Sequence, residues 1–323
     1  EPDRKTEKTV EGLKSKGFLS AHRPKEIVHP ADEYLEYYLE NKLGKMTLQL
    51  TQQCNFRCSY CIYSEYDMDL QRKHSNKRMS YETAKKAIDF LVEHSRDNED
   101  INIGFYGGEP LLEFDLIQKC IEYAEYACEG KDLSFSITTN GSLLNPEIAE
   151  YLINHNVSVL ISLDGPRQIQ DRHRRFAADG CGTFDRIEEN IRNIREKCPE
   201  FLKKISFNMV IDPQDDFSCI NSFLADYELF KETDVRGSLI DDTYSNEKLY
   251  FSEDYIIKSN YEYFKVFLFN LGRINADAIS PIAKMRFGDV EKLFNNDLNV
   301  QKIPDKVHHA GPCIPGAHKV FVT

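Results

Sequence analysis

The 323-residue chain has little of what marks fibrous or intrinsically disordered proteins, with only 12 prolines and 16 glycines. Hydrophobic residues make up 41% of it, including 20 phenylalanines and 17 tyrosines, which is enough apolar surface to build a sizeable core. A fibrous or disordered chain is therefore excluded. The length corresponds to one large domain or to two or three ordinary ones.

Positive charge is also in deficit, because 41 lysines and arginines face 53 aspartates and glutamates, which leaves a net charge of -12. This sign argues against a broad nucleic-acid footprint or an anionic membrane surface, although it leaves room for a local basic groove. No apolar run has the length of a transmembrane helix, and the start, EPDRKTEKTVEG, lacks the basic and apolar regions of a signal peptide. We expect a cytoplasmic protein that binds neither nucleic acid nor membrane. Because the chain lacks an initial Met and ends in the strand-like run KVFVT, we also expect sequence to be missing at one end or the other.

The nine cysteines are unevenly spaced, and an odd number argues against a disulfide framework. Cys54, Cys58 and Cys61 fall within eight residues as C-x3-C-x2-C, whereas the others are scattered. Three close thiolates can hold three irons of a [4Fe–4S] cluster and leave the fourth iron without a protein ligand. The alternative is a zinc knuckle whose fourth ligand is His74 or one of His308 and His309.

From residue 46 onward, strand-like and helix-like segments alternate. The predicted strands are 46–51, 101–106, 133–138, 157–162, 204–211 and 233–240. The predicted helices are 80–95, one from about Asp115, one after Pro146, 184–197, one near 217–230 and 255–271. Such alternation favours a parallel α/β architecture, either an open sheet or a barrel. Functional residues are then expected in the loops at the carboxyl ends of the strands.

Distinctive motifs occupy those loops. The Cys trio follows the first strand, Gly107-Gly108-Glu109-Pro110 the second, Thr139-Asn140-Gly141 the third, and Ser162-Leu163-Asp164-Gly165-Pro166 the fourth. C-x3-C-x-Tyr-C, GGEP and S-x-D-G-P in this order resemble the radical S-adenosylmethionine (SAM) enzymes, over roughly residues 46–240. The phrases TLQLTQQCNFRCSYC, IGFYGGEPLLEF and DRHRRFAADGCGTFD further resemble the peptide maturases that carry a C-terminal SPASM domain. The resemblance implies an α/β fold with a partial (β/α)6 barrel.

The resemblance also implies the cofactors and their ligands. Cys54, Cys58 and Cys61 would bind a [4Fe–4S] cluster, and SAM would chelate its open iron through its amino and carboxylate groups. The residues expected to contact SAM are Tyr60, Gly107, Gly108, Glu109, Thr139, Asn140, Ser162, Arg174 and Asn208.

Each of these residues has an expected role. The two glycines would let the backbone approach the methionyl part, and Glu109 would accept a hydrogen bond from the SAM ammonium. Tyr60 would lie along the adenine, and Asn208 would reach the ribose. Thr139 and Asn140 would line the methionyl and ribose side, and Ser162 with Arg174 would hold the carboxylate, although Arg172 and Arg175 leave the choice of arginine open.

The regions outside the alternating segments have two interpretations each. Residues 1–45 would be an N-terminal fragment, either a remnant of a leader-peptide-binding domain with a linker helix or a plain linker. Residues 46–275 would form the barrel, and residues 276–323 a bridge with the start of a truncated SPASM domain. Cys313 in GPCIPG would be an auxiliary-cluster ligand, or else a buried inert thiol.

The resemblance implies reductive cleavage of SAM to a 5′-deoxyadenosyl radical, with an electron from a donor such as flavodoxin or ferredoxin. The leading hypothesis is a maturase that installs Cys-to-carbon thioether crosslinks in a ribosomally made, Cys-rich precursor peptide with a leader. The first alternative is an anaerobic sulfatase-maturating enzyme that forms formylglycine. The second is a non-catalytic iron–sulfur or zinc module that binds peptides.

Overall fold

The computed structural model describes residues 4–16, 18, 21–28, 32–61, 63, 74–241, 249–284, 305–307 and 316–323. Its helices are α1 Arg4–Ser15, α2 Leu35–Asn41, α3 Tyr81–His94, α4 Phe114–Ala127, α5 Pro146–Asn154, α6 Arg167–His173, α7 Phe184–Lys197, α8 Phe217–Asp226, α9 Glu228–Glu232 and α10 Glu253–Asn270. Its strands are β1 Glu26–Ile27, β2 Lys45–Thr51, β3 Phe56–Cys58, β4 Asp100–Gly107, β5 Asp132–Thr139, β6 Val157–Ser162, β7 Arg174–Phe176, β8 Ile205–Ile211, β9 Asp234–Leu239, β10 Lys306–Val307 and β11 Lys319–Val322. None of the described helices combines the length and the apolar character that crossing a bilayer requires.

A seven-stranded sheet organises the described chain, in the order β11-β2-β4-β5-β6-β8-β9. Every neighbouring pair is parallel, and helices connect most successive strands. The prediction of a parallel α/β fold is confirmed, and all six predicted strands lie in this sheet. The seventh strand was not counted among them: it is the C-terminal run Lys319–Val322, whose Val320 pairs with Met46 at the start of β2.

The two faces of the sheet differ in polarity. On β2, Met46, Leu48 and Leu50 are fully buried in the core between the sheet and the helices. Most positions on the opposite face of the sheet are polar, although Leu160 and Val210 also lie there. The polar residues include Thr47, Asn102, Ser134, Ser136, Thr138, Ser158, Ser162, Ser206 and Asn208. Parallel strands that are covered on both faces usually have sequences of consecutive apolar residues. Alternation here means that one face is core and the other offers hydrogen-bonding groups.

Helix starts are set by side-chain caps that the sequence makes visible. The Ser80 hydroxyl accepts a hydrogen bond from the Thr83 N–H at 3.1 Å and caps the start of α3, which lies within the predicted helix 80–95. The Asn145 side chain accepts from the Ile148 N–H at 2.8 Å and opens α5, with Pro146 as the first helical residue. These caps fix where each helix leaves the loop that precedes it.

A short antiparallel ribbon lies beside the sheet, where β3 pairs with β7. Its register places Phe56 opposite Phe176, Arg57 opposite Arg175 and Cys58 opposite Arg174. The two phenylalanine rings meet edge to face at a centroid distance of 5.1 Å. The ribbon therefore links the Cys loop directly to the segment after α6.

The terminal regions are only partly described. Helices α1 and α2 lie within residues 1–45, and β1 pairs in parallel with β10, which joins the N-terminal region to the C-terminal one. Cys313, together with His308 and His309, lies outside the described residues. The boundaries 1–45, 46–275 and 276–323 stay a prediction.

Candidate active site at the carboxyl ends of the strands

A cavity of about 280 Å³ opens where β2, β4, β5, β6 and β8 end. Nearly all of the described residues that the sequence singled out line it: Cys54, Cys58, Cys61, Tyr60, Gly107, Gly108, Thr139, Asn140, Ser162, Arg174 and Asn208. Glu109 is the exception, because its side chain is buried behind the wall. Residues from five separate loops and strands thus meet in one space.

The three thiols carry hydrogen-bond donors aimed at sulfur. The N–H of Phe56 donates to Cys54 Sγ at 3.4 Å, and the N–H of Tyr63 donates to Cys61 Sγ at 3.5 Å. Longer contacts come from Asn140 Nδ2 to Cys54 Sγ (3.9 Å) and from Arg174 Nη1 to Cys58 Sγ (4.0 Å). Donors of this kind stabilise sulfur that bears negative charge, as metal-bound thiolate does.

The thiols are poorly suited to exist as free thiolates. Burial raises the pKa of Cys54 to about 11 and that of Cys58 to about 12. A sulfur that must be deprotonated in so dry a position needs a metal to compensate its charge. The set consists of soft sulfur donors only, which is the chemistry that an iron–sulfur cluster requires.

The described residues do not offer a compact zinc site that contains the three thiols. Tetrahedral zinc with bonds of about 2.3 Å needs sulfurs about 3.8 Å apart. Among the described His, Cys, Asp and Glu groups, the set whose ligand atoms all lie within 4.8 Å of one another is formed by His173, Asp212 and Asp215 instead. The alternative of a zinc knuckle at Cys54, Cys58 and Cys61 therefore gains no support from this geometry.

Arg174 is held in place by a buried carboxylate. Its Nε donates to Asp164 Oδ2 at 2.8 Å, and the Tyr60 hydroxyl donates to the same oxygen. The guanidinium also lies 5.4 Å from the centre of the Tyr60 ring. Burial alone would lower the pKa of Arg174, but Asp164 outweighs it and keeps the guanidinium charged. A fixed positive charge therefore faces the cavity.

The three neighbouring arginines are separated by the fold. Arg174 points into the cavity from the inner face of the ribbon, whereas Arg175 is exposed on the outer face. Arg172 forms ion pairs with Asp215 (2.7 Å) and Asp212 (3.1 Å). Among these three, Arg174 is thus the one that lines the cavity, and its contact with a SAM carboxylate stays a prediction.

The Glu109 side chain lies behind the cavity wall and binds two residues of that wall. Its carboxylate accepts hydrogen bonds from the Thr139 hydroxyl (2.7 Å), the Asn140 N–H (2.7 Å) and the Leu111 N–H (3.1 Å). Burial raises its pKa to about 7, although these three donors pull in the opposite direction. In this geometry the carboxylate positions Thr139 and Asn140, and its direct contact with SAM stays a prediction.

Gly107 and Gly108 are required by a close approach of two backbones. A Cβ on Gly108 would lie 2.0 Å from the carbonyl oxygen of Gln53, and one on Gly107 would lie 2.5 Å from that of Thr51. The N–H groups of Gly108 and Glu109 donate to these same carbonyls at 2.8 Å. The glycines therefore let the Cys loop pack against the end of β4.

Two residues at the site, Asp164 and His173, have no role that the sequence alone predicts. Asp164 belongs to the S-x-D-G-P motif, and only its contacts with Tyr60 and Arg174 reveal what it does. His173 supports the Cys loop, since its Nδ1 lies 3.0 Å from Ser59 Oγ and its Nε2 lies 3.2 Å from Asp215. The run Asp-Arg-His-Arg-Arg was the available signal for it, but nothing in the run shows which partners each residue has.

Comparison with known proteins identifies the family. The family model described as Radical SAM superfamily matches residues 48–226, which is more than half of the chain. The chain belongs to the radical SAM superfamily. Its cofactors are a [4Fe–4S] cluster and SAM, as the cavity chemistry suggests.

Relatives are found among enzymes that modify other proteins or build unusual groups. The radical SAM cyclopropyl synthase TigE of Paramaledivibacter caminithermalis is 32% identical over 208 residues, which are 62% of this chain and 42% of that protein. A cysteine-type anaerobic sulfatase-maturating enzyme of Clostridium novyi is 30% identical over 154 residues, 46% of this chain and 40% of that protein. The present chain therefore spans less than half the length of these curated relatives.

Among solved structures, native anSMEcpe with bound AdoMet and Cp18Cys peptide has the same fold. Its TM-score is 0.56 at 19% identity, and the match covers 72% of this chain and 62% of that chain. At this identity the likeness shows the arrangement of strands and helices only.

Proposed function

We propose that this radical SAM enzyme is a peptide maturase that joins a cysteine sulfur to a carbon of another residue in a ribosomally made, Cys-rich precursor. The observation that carries the peptide part is the polar face of the sheet leading to the cavity. A peptide backbone exposes an N–H and a C=O at every residue, and each needs a partner once water is removed. Of the polar side chains on this face, Thr138, Ser162 and Asn208 line the cavity and would supply such partners.

The relatives support the same substrate class without fixing the reaction. The solved relative is described with a bound peptide, and the Clostridium novyi relative is described as maturing a sulfatase. TigE is described as a cyclopropyl synthase. We favour the thioether because the long phrases around the Cys trio, GGEP and DRHRRFAADGCGTFD resemble maturases of Cys-rich peptides.

The residues that line the cavity would have distinct roles in binding the cofactors. Cys54, Cys58 and Cys61 would hold the cluster, which when bound supplies the electron that cleaves SAM to methionine and a 5′-deoxyadenosyl radical. Arg174 would fix the SAM carboxylate by a charge-assisted contact, and Tyr60 would flank the adenine.

A second group would bind the rest of SAM. Thr139 and Asn140, held by Glu109, would orient the methionyl and ribose parts, and Asn208 would reach the ribose. The walls of the cavity would limit the access of water to the bound SAM.

Mass spectrometry combined with a thiol count tests the proposal. The reconstituted enzyme is incubated with SAM, a reductant and Cys-rich precursor peptides encoded near its gene. A thioether removes one hydrogen from carbon and one from the thiol, so each crosslink makes the peptide two hydrogens lighter and abolishes one thiol that iodoacetamide would alkylate. The Cys58→Ala variant is expected to produce neither 5′-deoxyadenosine nor modified peptide.

Other products would replace the proposal with a different one. A peptide that loses two hydrogens but keeps every thiol would indicate carbon–carbon bond formation, as the name of TigE suggests for that enzyme. Loss of sulfur with a new aldehyde, on a sulfatase peptide, would indicate formylglycine formation. Peptide binding without any 5′-deoxyadenosine would indicate a non-catalytic module.

A further inference from the structure

Helix α10 has apolar side chains on both of its faces, and its inner face packs against the rest of the protein. Tyr255 is buried with residues of α8, and Val266 is buried with residues of the segment that follows α10. The Tyr255 ring meets the Phe217 ring edge to face at a centroid distance of 5.5 Å. The buried Glu262 carboxylate accepts a hydrogen bond from the Ser280 N–H at 3.0 Å. These contacts hold the helix with its opposite face turned outward.

The outward face of α10 carries large apolar side chains at intervals of four, three, three and four residues, which is the spacing of one helix face. We call this row the α10 stripe, and its members are Ile257 (60% exposed), Tyr261 (61%), Phe264 (55%), Phe267 (50%) and Leu271 (71%). Asn260 is a polar residue exposed beside them. Isolated exposed apolar side chains are ordinary, whereas a contiguous row of them marks an interaction surface.

The stripe is symmetric about its central residue, Phe264. Tyr261 and Phe267 lie three residues on either side of it, and Ile257 and Leu271 lie seven residues on either side. If a second α10 packs antiparallel across a two-fold axis at Phe264, each apolar side chain of the stripe lies level with another one. An interface between identical copies requires such self-complementarity, because both copies use the same surface.

The exposed apolar surface is large enough for such a pair. A fully covered aromatic side chain buries about 150–250 Å². The five stripe side chains, each at least half exposed, therefore offer roughly 500 Å² per copy. A pair would bury roughly 1,000 Å², which is the size at which specific interfaces begin. Tyr250 and Phe251, which are exposed directly before α10, lie close enough in sequence to add to this area.

The charges at the two ends of the stripe favour the antiparallel arrangement. Glu253 is the first residue of α10, Arg273 follows its end, and both are exposed. In an antiparallel pair centred on Phe264, Arg273 of one copy lies within about one helical turn of Glu253 of the other. A parallel pair would instead place like charges side by side.

We propose that the α10 stripe is the interface of a homodimer, in which α10 of one copy packs antiparallel against α10 of a second copy. The residues that line the cavity at the carboxyl ends of the strands include none of the stripe, so the pairing does not use the groups that would bind SAM. The inference goes beyond the proposed reaction and does not depend on the identity of the peptide.

Analytical ultracentrifugation of the reconstituted full chain tests the pairing, at about 1–100 μM because the dimer population depends on protomer concentration. Two variants carry opposite charges at positions that would lie level with each other across the axis. They are Ile257→Lys/Tyr261→Lys and Phe267→Glu/Leu271→Glu. Formation of 5′-deoxyadenosine with dithionite checks that each variant folds.

The wild type should dimerise, and so should the control Phe90→Lys/Tyr126→Lys, which changes two exposed aromatic residues outside the stripe. Each stripe variant alone should have a dissociation constant raised at least about tenfold, because unpaired charges would be buried between the copies. An equal mixture of the two stripe variants should recover the dimer, because the introduced lysines then lie level with the introduced glutamates. A wild type that stays monomeric, a dimer that survives in both stripe variants, or a mixture that stays monomeric would overturn the interface.

Crosslinking decides the question even if the charged variants do not fold. Phe264→Cys places one new thiol of each copy at the two-fold axis, so a short bismaleimide under anaerobic conditions should join two copies covalently. The control Tyr126→Cys adds an exposed thiol on α4 and should give only the background of the native thiols, which include the exposed Cys181. Equal crosslinking of the two variants would overturn the proposal.

Discussion

At the scale of single residues, the site depends on buried charges that are paired before any cofactor arrives. Asp164 accepts hydrogen bonds from Tyr60, Arg174 and the Val210 N–H, and it is completely buried. A charge so placed is costly unless each partner is retained. Its partners are also the groups expected to flank SAM, so stability and binding share the same atoms.

The Asp164→Asn substitution should therefore be strongly destabilising. Removing one partner of a buried ion pair leaves the other uncompensated, at a cost of about 3–5 kcal/mol in the free energy of unfolding. Asp185→Asn is the matched control, because the Arg167–Asp185 pair is exposed to solvent and should contribute little to stability. Urea unfolding of both variants measures the difference, and similar losses would mean that Arg174 finds another partner.

Glu109→Gln should weaken SAM binding while sparing the iron content. The new amide nitrogen must face one of the three donors that now meet the carboxylate, and losing a charge-assisted hydrogen bond costs about 1.5–3 kcal/mol. SAM affinity should fall by about tenfold to a hundredfold, since about 1.4 kcal/mol corresponds to a factor of ten. Equilibrium SAM binding to the reconstituted protein tests this, with the exposed Glu150→Gln as control. Unchanged affinity would mean that the loop of Thr139 and Asn140 does not need Glu109.

The raised pKa of Glu109 leads to a second prediction, on how the free energy of unfolding depends on pH. Because burial raises its pKa from 4.5 to about 7, the folded protein holds a proton there that the unfolded chain has lost between these values. Stability contributed by Glu109 is thus present below 4.5 and is lost as the pH rises toward 7. The unfolding free energy of the wild type, relative to Glu109→Gln, should decline over this window. A difference that does not vary with pH would mean that the three donors dominate over burial.

At the scale of elements, the Cys loop, the end of β4 and the ribbon form one packed unit. The loop begins where β2 ends and contacts β4 through the Gly107 and Gly108 backbone. It then pairs with β7 through β3, while Ser59 contacts His173 at the end of α6. Three elements distant in sequence thus hold each Cys in place.

Gly108→Ala should separate two of these elements. The added Cβ would meet the Gln53 carbonyl at 2.0 Å, and neither backbone can yield without breaking the hydrogen bonds between them. We expect a loss of about 1–3 kcal/mol in stability and a lower iron content after reconstitution. Gly12→Ala is the control, because α1 has nothing within 4 Å of that position and alanine favours helices by about 1 kcal/mol. Iron analysis with thermal unfolding checks both, and a Gly108→Ala protein with full iron would show that the loop can shift.

At the scale of the whole molecule, the C-terminal run closes the edge of the sheet beside the strand that leads into the Cys loop. Residues of β11 pair with β2 in register, and Val320 and Val322 pack against the main core. An uncovered edge strand is a site for pairing with another chain.

Deleting residues 319–323 should lower stability and promote aggregation. Two partly buried valines would be lost, each contributing up to about 1.5–3 kcal/mol, and the backbone groups of β2 would be exposed. Urea unfolding and light scattering measure the two effects, and deletion of Thr323 alone is the control. A truncated protein that stays monomeric with wild-type stability would show that β11 is dispensable to the sheet.

Local patterns determined much of this protein in advance. Alternating apolar residues placed the six predicted strands of the sheet, and Ser80 marked the start of α3, because periodicity and capping act over a few residues. The Cys spacing and the motifs after successive strands indicated the cofactors, since the carboxyl ends of parallel strands meet at one edge. Tertiary structure alone decided which of three adjacent arginines faces the cavity, that Glu109 lies behind its wall, and that Asp164 and His173 hold the site together. It also decided that the last strand, β11, pairs with β2. These outcomes depend on partners far apart in sequence, and burial and pairing between such partners leave no periodic trace in the chain.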